Sequence, residues 1–103
     1  MTSDPLYHFE WDPVKAQSNA RDHKISFRLA TTVFRDPLAL TVYDEEHSET
    51  EERWATIGKA ENQQYLVVTH TFGQTSPTDA VIRVISARKA MKQEVRDYEQ
   101  TPR

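Results

Sequence analysis

The segment Tyr7-His8-Phe9-Glu10-Trp11 alternates aromatic and polar residues, the period-two pattern of a short strand. Asp12-Pro13 then reads as a helix start. An aspartate can accept from the first free amides, and proline at the first helical position loses no needed donor. This helix is expected to run to about His23 on a thin apolar face of Val14, Ala16 and Ala20. Ser26 opens a second helix by the same capping logic. Phe27, Ala30, Thr31 and Phe34 fall at helical spacing there, and Leu29 and Val33 widen the stripe. Asp36-Pro37 ends it, because the residue before proline is pushed out of the helical region.

Four strands are predicted next: Leu38–Tyr43, Arg53–Lys59, Tyr65–Phe72 and Val81–Ser86. Asn62-Gln63-Gln64 forms a turn, and residues 73–79 are a loop of Gly, Ser, Pro, Thr and Asp. In the last strand Ile82 and Val84 face away from Val81, Arg83 and Ile85. Ser86 is predicted to cap a final helix over residues 87–99, with an apolar stripe of Ala87, Ala90, Met91, Val95 and Tyr98. Residues 1–6 and 100–103 are expected to fray. The expected class is α+β in a single domain, 1–103: a small antiparallel sheet of about four strands packed with two N-terminal helices and one C-terminal helix.

Composition narrows the chemistry. A chain of 103 residues has room for one core. It has no cysteine, so disulfide scaffolds and thiolate zinc sites are out. With two glycines it carries no Gly-rich phosphate loop. His8, His23, His47 and His70 lack zinc-ligand spacing, so neither a metal nor a cofactor is expected. No apolar run approaches the ~20 residues of a membrane span. Asp4 and Glu10 stand where a secretion signal would be basic and then apolar, so a cytoplasmic protein is expected.

The net charge of −3 hides an asymmetry. Residues 36–61 hold eight acids and two bases, whereas residues 81–103 hold six bases and three acids. Long-range attraction of nucleic acid by the whole molecule is therefore weak, but a local basic surface is possible. The densest acidic stretch, residues 44–53, reads most simply as a solvated hairpin loop.

One ordered set of residues resembles a known family. Phe9-x-Trp11-Asp12-x-x-Lys15-x-x-x-Asn19-x-x-x-His23-x-Ile25-x-Phe27 is similar to the opening of BrnT-type toxins. Val33-Phe34-x-Asp36-Pro37, Glu52-Arg53-Trp54 with Ile57-Gly58, and Leu66-Val67-Val68 extend the likeness. Residues 82–90 (IRVISARKA), followed by Glu94 and Tyr98, complete it over residues 9–98. The resemblance implies a RelE-like fold and a ribonuclease toxin of a type II toxin–antitoxin pair. It implies a BrnA-type DNA-binding antitoxin as partner in a toxin–antitoxin heterotetramer, RNA as substrate, and operator DNA reached only through the antitoxin. Gly73 departs from the family pattern, which usually has a basic residue there, and the C-terminal helix is poorer in arginine. An inactive or weak RelE-like module, acting as antitoxin partner and co-repressor, is the alternative.

Metal-free RNA cleavage needs a 2′-hydroxyl deprotonated, a phosphorane stabilised and a 5′-oxygen protonated. Guanidinium forks suit the second task. Arg83, a charge among apolar strand neighbours, and Arg88, placed in the first turn of the last helix against its dipole, are the leading candidates. The plainer reading makes Arg83 a salt bridge across the sheet and Arg88 a surface charge. Lys15 and His23 lie two helical turns apart with Asn19 between. Lys15 could bind phosphate, and His23 could move protons or merely tie the helix end. Arg53 and Trp54 could contact phosphate and stack on a base, or serve charge balance and core. Glu94 and Tyr98, one turn apart, complete the catalytic set, with packing the competing role for Tyr98.

Overall fold

A computed structural model describes residues 6–102. The elements are β1 (Leu6–Glu10), α1 (Pro13–His23), α2 (Phe27–Thr31) running on as a 3-10 turn (Thr32–Arg35), β2 (Leu40–Tyr43), β3 (Trp54–Lys59), β4 (Tyr65–His70), β5 (Gly73–Gln74), β6 (Asp79–Lys89) and α3 (Lys92–Gln100). Both N-terminal caps form as the sequence predicts. Asp12 Oδ1 accepts from the Val14 amide at 2.8 Å, and Ser26 Oγ accepts from the Leu29 amide at 3.0 Å.

The α+β class holds, and two features of the sheet are corrected. It has six strands rather than about four, in the order β1-β6-β4-β3-β2, with β5 also paired to β6. It is mixed rather than antiparallel, because β1 runs parallel to β6 from Leu6↔Asp79 to Glu10↔Arg83. Leu6 is thus paired, and Gln100 closes α3 instead of fraying. Of the remaining residues expected to fray, Thr101 still bonds back to α3, its amide donating to the Asp97 carbonyl at 3.1 Å, and 1–5 and 103 lie outside the described residues.

A further correction concerns the C-terminal junction. Residues 87–89 are strand, not helix, and α3 begins only at Lys92. Pairing of Ser86 through Lys89 with Thr69 through Leu66 outweighs the local helix signal of Ser86. The cap moves to Met91, whose amide donates to Glu94 Oε1 at 2.8 Å.

α1 and α2 cover one face of the sheet. The core there holds Ile25, Phe27, Val33, Leu66, Val68 and Val84, all nearly inaccessible. β1 ends opposite Arg83, which leaves the next part of that β6 edge without a strand. Asn19 fills the gap. Its amide Nδ2 donates to the Ala87 and Ile25 carbonyls at 2.9 Å each, and its Oδ1 accepts from the Ala87 amide at 3.0 Å. A buried primary amide thereby mimics one rung of a β-ladder, and Asn19 is structural rather than part of an exposed stripe. α3 packs beside the opposite face through Tyr98, whose ring meets Tyr65 edge-on at 5.4 Å.

Candidate RNA-binding groove

The face of the sheet away from α1 and α2 carries a groove of about 430 Å³. Val42, Ala55, Ile57, Val67, Thr69 and Ser86 form its floor. Arg88 and Glu94 stand at one wall, and Asp44, Glu46 and His47 at the other.

A β-bulge decides which charges look this way. His70 pairs with Val84 but Thr69 pairs with Ser86, so Ile85 is an extra residue on β6. Arg83 and Arg88 are five residues apart, and an unbroken strand would put them on opposite faces. The bulge restores them to one face, roughly 13 Å apart along the strand.

Each arginine is held by a carboxylate. Arg88 makes a bidentate pair with Glu94, Nη1 to Oε1 at 2.8 Å and Nη2 to Oε2 at 2.9 Å. The Glu94 hydrogen bonds raise Arg88 above its ordinary pKa against the cost of burial. The Arg88 hydrogen bonds hold Glu94 below the usual carboxylate range, again against burial. Arg83 Nη2 donates to Glu51 Oε1, which also accepts from Arg53 Nη2 at 3.4 Å. Hydrogen bonding by Arg83 is the main cause that lowers the Glu51 pKa. The Arg83 and Arg88 side chains stay 42% and 39% exposed, so neither pair is sealed from solvent.

The other predicted residues are distributed around these two arginines. Lys15 is exposed and lines a depression with Asp12, Arg83, Val84 and Ile85. His23 lines another, with Asp22, Arg88, Lys89 and Met91. Arg53 is half-buried at Glu51. Trp54 points to the helix-covered face, where its ring meets Tyr43 at 5.1 Å, so it is not beside the Arg53 guanidinium. Tyr98 is buried, and its hydroxyl donates to Asp36 Oδ2 at 2.6 Å. That hydroxyl is engaged away from the Arg88–Glu94 pair.

Trp54 instead lines an aromatic cleft of about 250 Å³ with Tyr7, Phe34, His70 and Phe72 on the helix-covered face. That cleft contains no cation and has no means of gripping a phosphate.

Sequence reasoning missed Asp44 and His47. The signal is an Asp-x-x-His spacing inside an acidic run that reads as a solvated loop. Among the described residues no three His, Cys, Asp or Glu gather to hold a metal ion, and no helix is long and apolar enough to cross a membrane. The arrangement is suited to binding an anion: a guanidinium fork at the end of an open groove, with a carboxylate in the place a phosphate would take.

Comparison with known proteins gives the family. A family model described as "Ribonuclease toxin, BrnT, of type II toxin-antitoxin system" matches residues 11–94. The chain belongs to the BrnT family of ribonuclease toxins. A type II toxin family carries with it an antitoxin partner. The crystal structure of the Brucella abortus ribonuclease toxin BrnT is similar in fold, with a TM-score of 0.58 at 19% identity over 84% of this chain and 99% of that one. None of the curated proteins searched matches.

Proposed function

We propose that this chain is a metal-independent endoribonuclease of the cytoplasm, the toxin of a pair silenced by a BrnA-type antitoxin. The single observation that supports cleavage most is the bidentate Arg88–Glu94 pair at the end of an open groove. Glu94 occupies the Arg88 fork in the free protein, and a phosphate of the RNA backbone displaces it. Arg88 then neutralises the charge that builds on the phosphorane. Arg83, freed from Glu51 in the same way, holds a second phosphate of the strand, and Lys15 extends that contact. Arg53 lends charge beside Glu51. His23, in its depression with Arg88, is a second contact for the leaving strand.

BrnA binds the chain in a heterotetramer, and operator DNA is reached only through the antitoxin. Induction of this chain alone in a bacterial host should arrest growth and deplete RNA. Co-expression of the neighbouring antitoxin gene, or Arg88→Ala, should restore growth. Healthy cells with intact RNA at confirmed expression would defeat the nuclease reading. The two carboxylate-held arginines favour one rival, a co-repressor that keeps the fold without the chemistry. It predicts antitoxin capture with no cleavage.

A further inference from the structure

Arginines stabilise a phosphorane but do not remove the proton from the 2′-hydroxyl. We propose that His47, oriented by Asp44, is the general base of the groove; this rests on the ribonuclease reading above.

His47 Nδ1 lies 2.9 Å from Asp44 Oδ2. An ionised carboxylate can only accept, so Nδ1 carries the proton, and in the neutral ring Nε2 is left with a lone pair. The side chains differ in exposure in the direction this role needs: Asp44 is 20% exposed and His47 is 60% exposed. The carboxylate is the more sheltered of the two, and the ring lines the groove. The loop is braced as well. The Asp44 amide donates to the Arg53 carbonyl at 2.9 Å, and the Arg53 amide donates to Ser48 Oγ at 3.0 Å. His47 is the one histidine on the groove lining, opposite the Arg88–Glu94 wall. The titratable and charged groups around it are Asp44 and Glu46 of its own loop, Arg88 of β6 and Glu94 of α3.

In the reaction, Nε2 takes the 2′-hydroxyl proton as the 2′-oxygen bonds to phosphorus. The bond from phosphorus to the 5′-oxygen breaks. The 5′-oxygen leaves with a proton drawn from solvent, to which His47 returns its own. The products are a 2′,3′-cyclic phosphate and a 5′-hydroxyl, with no net consumption of water. Asp44 is a positioning residue, since it acts through the imidazole.

The test is the pH–rate profile of the purified full chain on a defined RNA oligonucleotide, with His47→Gln, Asp44→Asn, Asp44→Glu and Arg88→Ala alongside. Wild type should lose activity on the acid limb of the profile, where a protonated base can no longer accept the 2′-hydroxyl proton. His47→Gln should fall by about 100-fold or more and lose that limb. Asp44→Asn should slow cleavage and Asp44→Glu should recover part of the rate, a rescue that mere loosening of the loop does not produce. Circular dichroism should be unchanged in all three. Activity and limb retained in His47→Gln, with Arg88→Ala dead, would overturn the base assignment and leave the nuclease reading standing. No cleavage by wild type at any pH would overturn both.

Discussion

Tyr98 donates its hydroxyl to Asp36 across 62 residues of sequence and thereby ties α3 to the turn before β2. Asp36 is a small hub. Its Oδ1 accepts from the Leu38 amide at 2.9 Å, and its Oδ2 also accepts from the Lys59 amide at 2.8 Å. Tyr98→Phe removes one donor and leaves the two amides in place, so the expected loss is about 1 kcal/mol. Asp36→Ala strands three donors and should cost about 2–4 kcal/mol. Urea denaturation of the two variants checks the order.

Stability should fall in two stages as pH is lowered. Burial depresses the His70 pKa from its ordinary 6.5, against the hydrogen bond to the Thr71 carbonyl. Its Nδ1 donates to that carbonyl at 3.1 Å, and Nε2 accepts from Thr56 Oγ1 at 2.7 Å, so the folded protein holds the neutral ring. The unfolded chain takes the proton first. The stabilisation is complete above about pH 6.5 and is lost as pH falls toward the folded value. The carboxylates follow. Asp36 is raised by burial but lowered further by the Tyr98 hydroxyl and the two amides, ending below its ordinary 3.8. Glu94 lies below its ordinary 4.5 through Arg88. Their contribution is present above those ordinary values and disappears as pH drops through the folded ones. Denaturant midpoints between pH 3 and 8 should show both stages, and His70→Asn should flatten only the upper one.

Gly58 sits under the 3-10 turn. A Cβ at this position would lie 2.8 Å from Val33 Cγ1 and 3.1 Å from the Ala39 Cβ. Val33 is fully buried and has little room to yield. Gly58→Ala should therefore destabilise by about 1–3 kcal/mol. Gly73→Ala meets nothing within 4 Å and is the matched control.

These residues also mark how far sequence reading reaches. α1 and α2 were legible because Asp12 and Ser26 cap locally, and their bonds span two or three residues. The β2, β3 and β4 cores were legible from alternation. The junction at 86–91 was not, because Ser86 is a good local cap and only pairing with β4 makes the segment a strand. The parallel partner of β1 was hidden for the same reason: alternation identifies a strand but not its neighbour. At the site, Arg83 stood out as a charge in apolar surroundings, and Arg88 as a cation set against a helix dipole, although it lies in β6 and not in the helix. Glu94 was singled out too, though not as the partner of Arg88; Glu51 was not, since it is 32 residues from Arg83 and lay in a run that resembles solvated loop. The bulge at Ile85, which puts both arginines on one face, leaves no mark in the residue pattern. The separation of Arg53 from Trp54 was available in principle, because neighbours on a strand point to opposite faces.

Glu94 and Glu51 compete with RNA for the arginines in this account. Glu94→Gln keeps the size and the Met91 cap but removes the charge. It should tighten RNA binding several-fold at low salt and shift Arg88 toward its ordinary pKa. Fluorescence anisotropy with a labelled oligonucleotide, bound in EDTA with a 2′-deoxy residue at the scissile position, reads this directly. Unchanged affinity in both Glu94→Gln and Glu51→Gln would mean that the carboxylates do not stand in for phosphates.

The role proposed for the Arg88 fork is phosphorane stabilisation without a metal. Its most direct test is cleavage of a 5′-labelled RNA by the purified chain in excess EDTA, with Arg88→Ala and Arg88→Lys under the same conditions. Wild type is predicted to cut and leave cyclic phosphate ends, with Arg88→Ala slower by about 100-fold or more and Arg88→Lys only partly active. Cleavage by Arg88→Ala at the wild-type rate, or no cleavage by wild type until a divalent cation is added, would contradict it.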